Sequence, residues 1–215
     1  MFTYIRNEIT HDFLELRQWI LFMPDEQNDK EFYIISRGMF FVYAYGLYEN
    51  IIHKIIAETI NILNNTSTPI DKCTYALYSL IFDKEFEGLH NVGNDHKWEK
   101  RWNISQIMVS NPNMNIRSDI FPTDGKNIRY RQLDSLAKSF GIKENILPSN
   151  SVGGYLEELV NNRNYVAHGN FTPKEIGRKY TKKDLLKICS VISDICSHTL
   201  NIYERYIVNQ LYIRQ

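Results

Sequence analysis

Apolar residues recur every three or four positions along most of this chain, and this spacing predicts α-helices. The predicted helices cover about residues 3–22, 29–64, 70–80, 127–140, 151–169 and 181–206. Neither a strand-rich segment nor an internal repeat is visible in the sequence. We therefore expect an all-α fold, an antiparallel bundle of about five helices with one polar, loop-rich insertion.

The apolar stripes indicate which helix faces should be buried. The stripe of the first helix comprises Ile5, Ile9, Phe13, Leu16 and Ile20. The stripe of the second comprises Phe32, Ile35, Met39, Tyr43, Leu47, Ile51 and Ile55. That of the last comprises Leu185, Ile188, Ile192, Ile195, Thr199, Ile202 and Tyr206. Because the second helix is unusually long for a compact domain, its stripe would suit a bundle with a partner.

Residues 83–126 break the helical pattern. They are rich in Asn, Asp and Lys and contain Pro112, Pro122 and an Asp124-Gly125 turn. We interpret the whole chain, 1–215, as one domain with an insertion at 83–126. A short helix is expected around Trp98 and Trp102, and the default prediction is that both indoles pack inward.

The composition changes the picture in one respect, the overall charge. Lys plus Arg and Asp plus Glu are 25 each, so the formal net charge is zero. Proteins that coat long nucleic acids are usually basic, so any nucleic acid should bind at a focused site. The three cysteines (Cys73, Cys189 and Cys196) contain no Cys-x-x-Cys pair. With neither a membrane-length apolar run nor a secretory signal, we expect a reduced, cytoplasmic protein without membrane association.

Candidate chemistry lies in the segment from Arg163 to His168, which Gly169 follows directly. Arginine presents a permanently charged fork to phosphate oxygens, and histidine can move a proton near neutral pH. The same Arg-x4-His spacing occurs at Arg6 and His11, so spacing alone decides nothing. Basic residues before a glycine are also ordinary helix-end chemistry.

The geometry of this pair depends on where the helix ends. Residues five apart on an ideal helix differ by about 140° in direction, so Arg163 and His168 should not share a face. Either unwinding at Gly169 or a second protomer could bring the two side chains together.

Three segments resemble the HEPN superfamily, small all-α domains whose active members are metal-independent endoribonucleases. The resemblance rests on residues 37–52, on 127–133 with 140–142, and on 159–169. The third segment carries the signature of the superfamily, an Arg followed after four to six residues by His, ahead of the final helix. The resemblance covers most of the chain except residues 83–126.

The resemblance implies roles for individual residues. Arg163 and His168 would be catalytic, with Asn164 orienting the site. Independently of the resemblance, Glu49 could support the site by a hydrogen bond to Arg163 or His168 across the bundle, whereas a solvated surface carboxylate is the commoner case. Attack by the ribose 2′-hydroxyl would leave a 2′,3′-cyclic phosphate and a 5′-hydroxyl. HEPN enzymes usually act as homodimers with a composite site, and no cofactor or metal is expected. Arg37 is interpreted as a surface or interface charge.

The resemblance also implies a biological setting, a toxin or antiviral effector restrained by an antitoxin or another regulatory protein. The alternative is a catalytically inactive HEPN module that binds RNA, a nucleotide or a protein partner. A purely structural helical dimer is a third hypothesis. Some relatives carry a modifiable Tyr two residues after the His, but this chain has Asn170 there.

The insertion offers a candidate RNA-binding surface. Its aromatic and basic side chains alternate closely and could stack on bases beside phosphates. They are Lys97, Trp98, Lys100, Arg101 and Trp102. If the chain is a nuclease, this surface is the expected source of substrate choice.

Overall fold

The computed structural model describes residues 1–24, 30–120 and 127–214. Its helices are α1 (Thr3–Phe22), α2 (Glu31–Asn64), α3 (Tyr78–Ile81), α4 (Asp83–Asn91), α5 (Lys97–Ser110), α6 (Tyr130–Ser139), α7 (Gly153–Ala167), α8 (Pro173–Gly177) and α9 (Lys182–Val208). Within those ranges there is no β-strand, and two isolated bridges occur. The predicted all-α fold is confirmed. Pro122 and the Asp124-Gly125 turn lie outside the described residues.

The apolar stripes of the first and last helices are buried as predicted. The five stripe residues of α1 are all buried, and so are the seven of α9. In both helices the other positions are largely polar, so only one face can leave water. Neither these helices nor the others in the described ranges are long and apolar enough to cross a membrane.

The prediction for the second helix is wrong in its first half. Phe32, Ile35, Met39 and Tyr43 are exposed in the single chain. The residues of the buried face are Phe40, Phe41, Ala44, Tyr45, Tyr48, Ile51 and Ile52. Because α2 is apolar on two faces, periodicity alone cannot decide which one packs.

The structure divides into two compact units. The first comprises residues 1–55, 127–133 and 145–202, and the second comprises 56–126, 134–144 and 203–215. The Arg163 to His168 segment lies in the first unit. The single domain over residues 1–215, with its insertion, stays a prediction.

In the second unit, the segment predicted as a loop-rich insertion is more helical than expected, because α4 and α5 fill much of it. The chain after α5 is fastened by reciprocal bonds of 2.8 Å between the Asn64 amide and the backbone of Ile116. Arg117 pairs with Asp83 and Glu87 of α4.

The prediction that both indoles of α5 pack inward is wrong. Trp98 is 75% exposed and Trp102 is 63% exposed. The Arg101 guanidinium lies 4.9 Å from the Trp98 ring centroid. None of the residues of α5 is buried, so the helix has no core-facing stripe that could take in the two indoles.

Candidate active site

The C-terminal end of α7 holds the predicted Arg-x4-His segment in a defined geometry. The helix remains regular through Ala167, and His168 is its cap residue with φ −91° and ψ 0°. Gly169 then adopts φ +71°, the left-handed conformation in which glycine is least strained. The Phe171 N–H donates to the Tyr165 carbonyl over 3.2 Å and folds the chain back. The predicted end at Gly169 is therefore confirmed.

Arg163 is half-buried and held on two sides. Its Nη1 donates to Asn127 Oδ1 and to Asn164 Oδ1, each over 3.0 Å. The guanidinium lies 4.7 Å from the centroid of the Tyr45 ring, a cation–π distance. In the described part of the chain its Nε–H and Nη2–H groups have no partner. Arg163 is thus positioned with three N–H donors unoccupied.

Tyr45 is a buried platform beneath this guanidinium. Its hydroxyl donates to Glu49 Oε1 over 2.9 Å and accepts from the Ile128 N–H over 3.0 Å. Burial, together with the nearby Glu49 carboxylate, raises the pKa of Tyr45 above its usual value. The hydroxyl therefore keeps its proton near neutral pH and remains a donor to Glu49.

His168 and Arg163 do not meet in a single chain. The His168 side chain is exposed and makes no hydrogen bond or ion pair with the described residues. Since α7 is regular from Arg163 to Ala167, their directions differ by about 140°. Unwinding begins only at Gly169, so it does not bring the two side chains together.

Helix α8 fixes the chain just beyond His168. A capping box of Thr172 and Glu175 begins it, and Gly177 ends it. A Cβ on Gly177 would lie 1.8 Å from the Ile34 carbonyl oxygen, so α8 packs directly against α2. Arg37 is buried and its Nε donates to the Gly177 carbonyl over 3.2 Å. The interpretation of Arg37 as a surface charge is wrong, because this buried carbonyl is its acceptor.

A second network fixes the body of α7. The buried Asn162 donates to the Tyr180 hydroxyl over 2.7 Å, and that hydroxyl donates to Glu158 Oε1 over 2.7 Å. On the neighbouring turn Arg129 pairs with Glu157 and donates to Asn161 over 2.8 Å. These contacts anchor α7 on both sides within the first unit.

The remaining predicted residues divide between the two units. Asn164 contacts Arg163 directly, whereas Glu49 is linked to it through Tyr45. Lys97, Trp98, Lys100, Arg101 and Trp102 lie on α5 in the second unit. The other Arg-x4-His copy lies within α1, where Arg6 bonds Asn201 and His11 pairs with Asp12 and Glu15.

Sequence reasoning missed Tyr45 and Asn127 as site residues. Both lie in segments that carry the resemblance, but the sequence assigned neither residue a role in the site. The three segments converge here: the first supplies Tyr45 and Glu49, the second Asn127 and Ile128, and the third Arg163. Their position inside segments that carry the resemblance was the signal available in the sequence, but it does not reveal that either residue contacts Arg163.

The comparisons with known proteins identify the family of the chain. Neither curated proteins nor solved structures give a match to this chain. A family model described as RiboL-PSP-HEPN matches residues 7–204, which include every segment of the site. The chain belongs to the RiboL-PSP-HEPN family, and so to the HEPN superfamily.

Proposed function

We propose that this protein is a metal-independent endoribonuclease, a cytoplasmic toxin or antiviral effector restrained by an antitoxin or another regulatory protein. HEPN membership suggests a nuclease or another RNA-related function. The observation that carries the finer proposal is the state of Arg163, which is held by Asn127, Asn164 and Tyr45 with three N–H donors unoccupied. A guanidinium fixed in this way can bind a phosphate side-on by donating from its Nε–H and Nη2–H groups.

The proposed reaction uses only groups of the RNA and of this chain. The ribose 2′-oxygen attacks the adjacent phosphorus while His168 accepts the hydroxyl proton. The bond from phosphorus to the 5′-oxygen breaks, and the protonated His168 gives its proton to that oxygen, which returns the histidine to its neutral form. Arg163 neutralises the charge that develops on the phosphate oxygens. The products are a 2′,3′-cyclic phosphate and a 5′-hydroxyl.

The proposal includes a homodimer with a composite site. Because Arg163 and His168 diverge by about 140° on one helix, a site that uses both groups is more readily built from two chains. The outer faces of α1 and α2 also form an open apolar groove of about 710 Å³. Its lining includes Trp19, Met39 and Tyr43. Apolar surface of this kind favours burial by a second copy.

The exposed side chains of α5 support a second RNA contact. Trp98 and Trp102 lie one helical turn apart, and Lys97, Lys100 and Arg101 lie between or beside them. Exposed aromatic rings can stack on unpaired bases while nearby cations pair with phosphates. We assign this surface to substrate binding rather than to the chemical step.

The test is cleavage of single-stranded RNA in EDTA by the parent, Arg163→Ala and His168→Ala proteins. Each substitution should lower the rate by at least about 100-fold. His11→Ala removes the histidine of the other Arg-x4-His copy and is the matched control, which should cleave like the parent. Equal cleavage by all four proteins would refute the assignment. Activity in none of them, over varied RNAs, would favour a catalytically inactive HEPN module.

The composite site is tested by mixing subunits. Each inactive variant contributes the residue that the other lacks, so reassorted dimers contain one intact site. A mixture of Arg163→Ala and His168→Ala should recover roughly a quarter of parental activity after subunit exchange. Sedimentation of the parent as a dimer, with no recovery in the mixture, would refute the shared site while leaving the dimer in place.

A further inference from the structure

An exposed aromatic pair encloses the turn that carries His168. Tyr165 and Phe171 lie three residues before and after it, and they are 38% and 37% exposed. Their ring centroids are 5.2 Å apart with an interplanar angle of 83°, an edge-to-face contact. The Phe171 N–H bonds the Tyr165 carbonyl, so both rings are fixed to the same turn.

A lysine cation lies over the Phe171 ring of this pair, close enough to Glu175 to help lower the pKa of that carboxyl but without a salt bridge to it. The Lys179 ammonium is 4.6 Å from the centroid of the Phe171 ring. Among the described residues it forms no ion pair. Helix α8 folds the chain back so that Lys179 reaches Phe171, and its packing against α2 makes this arrangement rigid. A lysine on an aromatic face that no salt bridge holds can be displaced by a flat ligand that carries its own phosphate.

There is also space for such a ligand. Tyr165 borders a shallow, open groove of about 680 Å³ along α7, which is also lined by Tyr155 and Asn161. This volume lies within the range of small-molecule sites. Tyr165 therefore lies between this groove and the Phe171 ring, on the turn that carries His168.

We propose that Phe171, Tyr165 and Lys179 form a nucleobase-binding subsite next to the cleaved bond. This inference rests on the proposed ribonuclease function and names the feature of the RNA that the site takes, one unpaired base. The base stacks on Phe171, and the displaced Lys179 ammonium pairs with a neighbouring phosphate. Tyr165 supports Phe171 from the side. Since a base in a duplex has no free face, the subsite selects single-stranded RNA.

The experiment measures binding separately from cleavage. The probe is a single-stranded oligoribonucleotide with 2′-fluoro groups, which removes the nucleophile, and a 2-aminopurine base whose fluorescence falls on stacking. Phe171→Leu should bind about 5- to 150-fold more weakly and lose the quenching, because one base–aromatic stack is removed. Phe171→Tyr keeps an aromatic face and should bind like the parent.

The matched control is Tyr75→Leu, which removes another exposed ring that lies 4.9 Å beneath an arginine, Arg214. It should leave binding and quenching unchanged. Thermal melting of each variant establishes that it is folded. Equal binding by the Phe171→Leu and parent proteins would overturn the subsite, whether or not the variant remains a dimer.

Cleavage of unmodified RNA, measured in parallel, separates the two proposals. If the parent cleaves RNA and Phe171→Leu binds like it, the subsite is wrong and the nuclease stands. If no protein cleaves but the Phe171→Leu binding defect is found, the subsite stands and the nuclease proposal is wrong. A parent that does not bind the oligonucleotide overturns the subsite.

Discussion

Two buried tyrosines on α2 provide a sharp test of the hydrogen bonds that hold Tyr45, the platform beneath Arg163. Tyr45 and Tyr48 are both buried, with ring centroids 6.0 Å apart. The Tyr45 hydroxyl accepts from the buried Ile128 N–H and donates to Glu49. Tyr45→Phe keeps the ring and leaves that N–H without a partner, which costs about 2 kcal/mol. Glu49 is partly exposed and regains water, so its loss should add little.

For a chain of this length, the change should lower the melting temperature by about 4–8 °C. The assay is thermal unfolding followed by circular dichroism at pH 7. Tyr48→Phe is the matched control, because the Tyr48 hydroxyl is buried without a hydrogen-bond partner in the described part of the chain. Removing it should be neutral or stabilising by up to about 1 kcal/mol. Equal destabilisation by the two variants would refute the assigned hydrogen bonds.

Three further predictions concern packing, pH and thiol reactivity. Gly177→Ala should cost at least about 3 kcal/mol, because its Cβ would overlap a backbone carbonyl of α2. The Cβ of Gly88→Ala would lie in open space on α4, so this substitution should stabilise the fold by about 1 kcal/mol. Equal melting temperatures of the two variants would contradict both expectations. Hydrogen bonds from the threonine cap of α9 lower the pKa of Asp184, so its stabilisation is present above the ordinary range of an aspartate and is lost as pH falls through the lowered pKa. Asp184→Ala should therefore cost about 1 kcal/mol at pH 7, and this cost should shrink as the pH falls through the lowered pKa. A difference in melting temperature that stays constant into acid would count against this cap. Burial raises the pKa of Cys73 and Cys189 to about 11, so thiol reagents at pH 8 should label the native protein slowly and the unfolded protein fast, whereas equal rates would contradict their burial.

Features that the local residue pattern determines could be predicted from the sequence. Gly141 and Gly169 each follow an apolar-periodic segment, and both adopt the positive φ that ends a helix. The apolar stripes of α1 and α9 are flanked by polar residues, so their burial followed directly from periodicity. Thr181 was expected to start α9, and its hydroxyl accepts from the Asp184 N–H over 3.2 Å.

Features that depend on distant partners could not be predicted. Arg37 is buried because a backbone carbonyl 140 positions later accepts its N–H. The first half of α2 also packs closely against α8 at Gly38 and Gly177, a contact that periodicity cannot detect. Similarly, Tyr45 supports Arg163 only because the chain before α6 crosses α2 at that point. Each of these depends on which segments meet, not on local residue preference.

The central claim is that the ribose 2′-hydroxyl is the nucleophile and that His168 takes its proton. The most direct test compares one RNA with a twin that carries a single 2′-deoxy sugar at the mapped cleavage site, in EDTA. We expect the parent protein to cut the RNA to a 2′,3′-cyclic phosphate and a 5′-hydroxyl and to leave that bond intact in the 2′-deoxy RNA. The His168→Ala variant should cut neither. Cleavage of the twin at the same bond and rate, or products ending in a 5′-phosphate, would contradict the claim.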